Sequence, residues 1–268
     1  MPIMIKNNLP LPLDPDGLPK GKGLVYEVIR VIDSTPLFFQ GHYDRMLNSL
    51  RLTGSDLSLS LASFREMVDL LMAKIGQGNF NFKVLIDPAT KDIYLFENPS
   101  AYPSADLYRK GIHTEILKYE RPDPNAKVMN TELVVTSQQL MAATDAYEVL
   151  LEDSEGHITE GSKSNVFFMK EGVLYTPPLF KVLPGITRLE IIACARDLGM
   201  TVREENIPAH GLHDYDAAFI SGTSPKILPI HSVGLIRYDF QSNSHLTALI
   251  RRFDQRIVED LQAYRKLS

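Results

Sequence analysis

The stretch from Ile158 to Leu198, ITEGSKSNVFFMKEGVLYTPPLFKVLPGITRLEIIACARDL, constrains the fold more than any other part of the chain. Glu160 stands beside the apolar Val166-Phe167-Phe168. A carboxylate buried there needs a cation or several hydrogen-bond donors, since left unpaired it is costly or becomes protonated. Glu171-Gly172 turns the strand into a hairpin. Beyond Pro177-Pro178 the period changes. From Thr187 through Leu189, Ile192, Ala193 and Ala195 to Leu198 the apolar residues fall at helical spacing, and Gly199 closes the run. Gly185-Ile186-Thr187 is therefore a helix N-terminus. Its free N–H groups, a glycine permitting close backbone approach and the Thr187 hydroxyl suit a phosphate oxyanion. The same residues also read as an ordinary N-cap, with Thr187 as its own cap. An acid and an anion-binding helix start in one stretch suggest a site for a charged, phosphorylated cofactor.

Charge decides against nucleic acid as the partner. The 268 residues carry a formal net charge of −5 and no basic run, whereas phosphate neutralisation along a nucleic acid needs clustered Lys and Arg. A small organic substrate fits better. With 44% hydrophobic and 23% charged residues, the chain can build a large core in one domain or two. The lone Cys194 lies among Ile191, Ile192 and Ala193 and reads as a reduced, buried thiol. No apolar run approaches the roughly 20 residues of a membrane span, and the start MPIMIKNNLPLPLDPDG lacks a signal peptide's apolar core. A cytoplasmic protein with no membrane partner and no metal is expected.

Residues 1–23, rich in Pro and Gly, read as an irregular arm. The first strand is Leu24 to Ile32, and on it Tyr26 is either a core aromatic or a ring placed over a ligand. A short strand is expected around Phe38–Gln40, then a helix in GHYDRMLNSLRLTG with His42 and Arg45 near its start. A cation there opposes the helix dipole, so Arg45 calls for an anion, either a ligand or Asp44 or Asp56. A second helix spans Leu61 to Ile75, and strands follow at Asn79–Ile86, Ile93–Glu97 and Ile112–Tyr119. Arg121-Pro122-Asp123-Pro124-Asn125 reads as an interdomain connection.

Lys127 follows that connection and is either a solvated cation or an amine that forms a Schiff base with an aldehyde. A helix is expected over Thr131 to Thr144, and strands over Tyr147–Asp153 and Ile158–Glu160. After the strand Ala217–Ser221, Gly222-Thr223-Ser224-Pro225 forms a second anion-binding loop, and two such loops suggest one phosphate held from two sides. The tail from His245 is an amphipathic helix.

In this order, VYEVIRV at 25–31, HYDRMLNS at 42–49, the AKVMN lysine, ITEGSKSNVFF at 158–168, LYTPP at 174–178, LPGITR at 183–188 and FISGTSPKILPI at 219–230 resemble the fold type IV pyridoxal-phosphate enzymes. That group contains the branched-chain and D-amino-acid aminotransferases and aminodeoxychorismate lyase. The resemblance implies an α/β chain of two domains, a small α/β domain over 1–120 and a larger α/β pseudobarrel over 121–268. Pyridoxal 5'-phosphate would sit in the cleft between them, in a homodimer. It implies that Lys127 binds the cofactor aldehyde and Glu160 pairs with the pyridine nitrogen, Asn165 supporting that side. Arg45, Ile186, Thr187, Thr223 and Ser224 would hold the phosphate, and Tyr26 with Glu27 would stand on the substrate side. The implied reaction moves an amino group between an amino acid, branched-chain-like, and a 2-oxo acid. The runner-up is aminodeoxychorismate lyase, releasing pyruvate and 4-aminobenzoate. A non-catalytic phosphate-ligand module is a further alternative, disfavoured by the presence of both Lys127 and Glu160. The chain has Ile86-Asp87-Pro88 where D-amino-acid aminotransferases carry an Arg and a His for the substrate carboxylate, which argues against that activity.

Overall fold

The structure, a computed structural model, describes residues 2–20 and 23–266. The chain divides into two compact units. The first comprises Met1–Ala101, Ala126–Asn130 and Ile257–Ser268, and the second Tyr102–Asn125 with Thr131–Arg256.

The first unit is a six-stranded sheet with two helices. Its elements are β1 (Ile3–Lys6), β2 (Leu9–Pro12), β3 (Val25–Ile32), β4 (Thr35–Pro36), α1 (Phe39–Leu52), α2 (Leu61–Ile75), β5 (Phe80–Asp87) and β6 (Asp92–Glu97). The sheet order is β2-β1-β6-β5-β3-β4. Strand β3 alternates strictly: Val25, Glu27, Ile29 and Val31 face inward. Three of these join Met46 and Leu50 of α1, Phe64 and Leu71 of α2, and Phe82, Val84 and Leu95 of the hairpin β5–β6 in one apolar core.

Two expectations fail in this unit. Residues 3–12 form a hairpin rather than an irregular arm. Asn7 and Asn8 adopt φ of 47° and 68°, the left-handed pair that a two-residue hairpin turn requires, and β1 adds to β6. Met1, Gly21 and Lys22 of the expected arm lie outside the described residues. The strand expected at Phe38–Gln40 is instead the start of α1. Phe38 is left-handed (φ 51°), and its N–H donates to Asp260 Oδ2 at 2.7 Å.

The second unit is built on a ten-stranded mixed sheet. Its elements are α3 (Ala105–Lys110), β7 (Ile112–Lys118), α4 (Thr131–Thr144), β8 (Glu148–Glu152), β9 (His157–Gly161), β10 (Asn165–Lys170), β11 (Val173–Thr176), α5 (Ile186–Asp197), β12 (Val202–Glu204), β13 (Ile207–Pro208), β14 (Ala217–Gly222), β15 (Lys226–Val233), β16 (Ile236–Arg237) and the start of α6 (Ser244–Lys266), whose residues from Ile257 on are counted in the first unit. The order is β12-β11-β10-β14-β15-β7-β8-β9-β13, with β16 on β15. Strand β7 lies parallel to β8 and β15, so it belongs to this sheet and not to a first domain ending near residue 120. A strand's sheet depends on its partners, and nothing in Ile112–Lys118 itself specifies them. Val166, Phe168, Ile220, Leu228 and Leu150 form the core of this unit, and Leu133 of α4 covers Val149 and Leu151. Among the described residues, no helix is long and apolar enough to cross a membrane.

Candidate active site

Lys127 is placed by backbone pairing. Residues 126–130 run antiparallel to the start of β3: Tyr26 N–H donates to Lys127 O at 3.0 Å, Met129 N–H to Leu24 O at 3.1 Å, and Val25 bridges Val128. From α1, Ser49 Oγ accepts the Lys127 N–H at 3.2 Å. The side chain turns over the outward face of β3, where its Nζ lies 4.7 Å from the centroid of the Tyr26 ring. This is a cation–π distance. Tyr26 is therefore a partner of the lysine rather than a plain core aromatic.

Glu27, one residue on, points the other way. It is wholly buried and sits against α1, where Arg45 grips it with Nε at 2.7 Å and Nη2 at 2.6 Å and His42 Nδ1 lies 2.8 Å away. Burial pushes the Glu27 carboxyl up, but Arg45 and His42 outweigh it and hold the group down to about 2. His42 is lowered, by burial first, with Arg45 and Lys127 adding and Glu27 opposing. Glu27 is thus not on the substrate side with Tyr26, because the two-residue period of a strand puts neighbours on opposite faces. The anion partner of Arg45 is Glu27. Asp44 accepts from Gln40, and Asp56 pairs with Lys91. Nor does Arg45 stand at a helix start: α1 begins at Phe39, and the dipole effect fades within the first turn.

In the second unit, Glu160 and Asn165 flank the turn from β9 to β10. Glu160 Oε1 accepts from Arg121 Nη1 at 2.6 Å, and Oε2 accepts from Leu183 N–H at 3.0 Å and Asn165 Nδ2 at 3.4 Å. The acid therefore does not need a ligand to supply its cation. Arg121 does so, although sequence reasoning assigns it only to a connection. Its signal is its charge, since a solvated linker gives no reason for a cation in the run Arg121-Pro122 just before Lys127.

Asn165 also links the two loops that the sequence marks as candidate anion sites. Its Nδ2 donates to Leu183 O at 3.0 Å, two residues before α5. It pairs in register with Ser221, which leads into Gly222-Thr223-Ser224. Gly185 is the N-cap of α5, no side chain caps that helix, and Ile186 and Thr187 are buried in its first turn. Thr187 is therefore not its own cap. A Cβ at Gly185 would clash with Asn165 Oδ1, while its φ of −62° suits any residue. The glycine is required by its neighbour and not by its backbone.

Residues 24–233 match the family described as Amino-transferase class IV. The chain belongs to the class IV aminotransferases. A probable branched-chain-amino-acid aminotransferase of Thermotoga maritima is 30% identical over 220 residues, 78% of this chain and 77% of that protein. The crystal structure of the branched-chain amino acid aminotransferase of Escherichia coli superimposes with a TM-score of 0.84 at 23% identity, covering 96% of this chain and 94% of that one. The branched-chain amino acid aminotransferase of Thermobaculum terrenum, solved in its PLP form, gives a TM-score of 0.80 at 19% identity, covering 99% and 97%. The expected fold type IV architecture is thus the observed one.

Class IV aminotransferases use pyridoxal phosphate, and the residues in place suit it. The uncapped start of α5 offers N–H donors to an anion. Among the described residues, Ser221 Oγ is buried without a partner, on a residue paired with Asn165. Glu160 is a carboxylate at the end of β9, a chemical match for a protonated ring nitrogen. A second acid, also missed from sequence, stiffens this aminotransferase's β9–β10 turn. Glu148 is wholly buried, accepts from Ser162 Oγ at 2.5 Å, Ser164 Oγ at 3.3 Å and Val149 N–H at 3.0 Å, and is pushed up by burial. It pins the loop that carries Glu160 at one end and Asn165 at the other.

Proposed function

We propose that this aminotransferase binds pyridoxal 5'-phosphate through the residues above and moves the amino group of a branched-chain-like amino acid to a 2-oxo acid. The observation that carries the reading is the Arg121-paired Glu160 in the same unit as the uncapped helix start at Gly185. A carboxyl group held in place suits the nitrogen end of the cofactor, and the helix start suits its phosphate. When bound, the cofactor supplies an aldehyde for the amino group and a ring that accepts electrons from the substrate Cα.

Glu160 would hold a proton on the pyridine nitrogen, a charge-assisted bond worth roughly 1.5–3 kcal/mol. The N–H groups of Ile186 and Thr187 and the hydroxyls of Thr187, Thr223 and Ser224 would hold the phosphate, with Arg45 contributing its positive charge. The dipole of α5 contributes about 0.3–2 kcal/mol. Lys127 would hold the cofactor at its aldehyde, and its amine would move the proton of the substrate Cα. Tyr26 lines the substrate side. The branched-chain preference rests on the names of the relatives, and the homodimer on the resemblance. The cytoplasm suits a single buried thiol, Cys194, which makes no use of an oxidising compartment.

The test is spectroscopic and catalytic. Added pyridoxal phosphate is expected to give a visible band that Lys127→Ala abolishes, and leucine with 2-oxoglutarate is expected to yield the branched keto acid. A band retained in Lys127→Ala overturns the lysine assignment. Pyruvate released only from aminodeoxychorismate replaces the transferase with the lyase.

A further inference from the structure

The outward face of β3 and β5 holds a second lysine that the reaction described above does not use. Lys83 on β5 is opposite Val28, which places it on the Tyr26 face, diagonal to that ring. Its surroundings are aromatic. Phe96 is its partner on β6, and Leu85, Tyr94 and Tyr26 belong to the apolar cluster beside it. The Nζ of Lys83 lies 5.1 Å from the Tyr26 centroid, and among the described residues no carboxylate pairs with it. Two lysine amines therefore share one ring, at 4.7 Å and 5.1 Å, so their nitrogens are at most about 10 Å apart.

We propose that Lys83 is a positioning residue for the reactive amine: its ammonium, held on the Tyr26 ring beside Lys127, disfavours a second charge there and keeps the Lys127 amine neutral and nucleophilic. The inference rests on the assignment of Lys127 above. On the inward face of β3 the charges close on themselves. Glu27 and Arg45 neutralise one another on the inward face, and His42 is lowered below its ordinary range. The interaction is also felt by Lys83, which burial pushes below the usual lysine range, with Tyr26 opposing and Lys127 adding. A like charge within about 10 Å at an effective dielectric near 20 changes the neutral fraction of an amine about tenfold.

The experiment measures the amine directly, in the full chain without bound carbonyl ligand. The rate of acylation of Lys127 is followed by mass spectrometry of its peptide between pH 6 and 10, with Lys127→Ala to assign the signal. In Lys83→Met, labelling at neutral pH is expected to slow about tenfold, with the whole profile displaced to higher pH. Lys83→Arg keeps the charge and is expected to label at the wild-type rate or faster. Lys83→Gln serves as the neutral variant should Met disturb the fold. Wild-type labelling in both neutral variants overturns the proposal, and a raised KM for the amino acid alongside that result makes Lys83 a substrate contact instead. Failure of the Lys127 assignment itself appears separately, as a cofactor band retained in Lys127→Ala.

Discussion

Replacing Arg45 by Met tests the buried cluster that ties α1 to β3. Glu27 has no exposure, and Arg45 and His42 are its side-chain partners in the hydrogen-bond network of that face. A carboxyl held at about 2 rather than its ordinary 4.5 corresponds to about 3 kcal/mol of native-state stabilisation. Loss of one partner of a buried ion pair typically costs about 3–5 kcal/mol, in line with that figure. Arg45→Met is therefore expected to lower stability to urea by about 3 kcal/mol at pH 7.

The pH dependence has a definite sign. In the wild type a depressed carboxyl contributes fully above pH 4.5, and that contribution is lost as pH falls toward about 2. In the variant, burial without the guanidinium pushes Glu27 above 4.5. Its penalty is then largest at neutral pH and is relieved as the group protonates on acidification. The difference between the two proteins must shrink as pH falls from 8 to 5. Urea unfolding followed by circular dichroism, with hydrogen exchange of the α1 amides as a local readout, measures both quantities. Glu27→Gln combined with Arg45→Met is expected to recover most of the loss, because the uncompensated charge is gone. A loss below about 1 kcal/mol, or one independent of pH, would falsify the reasoning.

Three further outcomes follow from the second unit. Arg121→Met removes the cation from Glu160 and leaves Leu183 N–H and Asn165, so a loss of about 3 kcal/mol with weaker cofactor retention on dialysis is expected; retention equal to wild type refutes the role of Arg121. Gly185→Ala drives a Cβ into Asn165 Oδ1 and should cost about 1–3 kcal/mol; Asn165→Ala in the same chain is expected to relieve part of it, and strict additivity in a double-mutant cycle argues against the contact. Glu148 is raised by burial, so its ionised form is a cost that sets in as pH rises from 4.5 through its folded value. Glu148→Gln keeps the acceptor for Ser162 and Val149, so its stability relative to wild type should increase with pH, as urea midpoints at pH 5 and pH 8 will report.

Much of the fold is legible in the sequence because its signals are local. The helix Leu61–Ile75 announces itself by period and cap, Ser60 accepting the Ser63 N–H, and Thr131–Thr144 by its composition. The start of α5 is equally readable, since a Pro-Gly pair precedes a helical run. What escapes depends on partners distant in the chain. Ile112–Lys118 reads as a strand from its own residues, but its place between β15 and β8 is set by segments more than thirty residues away. Arg121 and Glu160 are 39 residues apart, and no spacing rule joins them. The Asn7-Asn8 hairpin is a different case: its turn signal is present but masked by the surrounding prolines.

The alternation of β3 explains why this short strand carries so much of the candidate site. Its inward residues answer to the core, and among them Glu27 is tolerated only because α1 brings Arg45 and His42 to it. That ion cluster fixes α1 against the strand, and α1 in turn presents Ser49 to the Lys127 N–H. The outward residues answer to the two lysines: Tyr26 receives Lys127 through its backbone and its ring, and receives Lys83 across the sheet. A one-residue slip in register would exchange the two faces, burying Tyr26 and exposing Glu27, and would remove both the clamp and the amine's support at once. The pairing of residues 126–130 with the start of β3 thus couples the position of Lys127 to the register of the sheet, rather than to the conformation of the connection that precedes it.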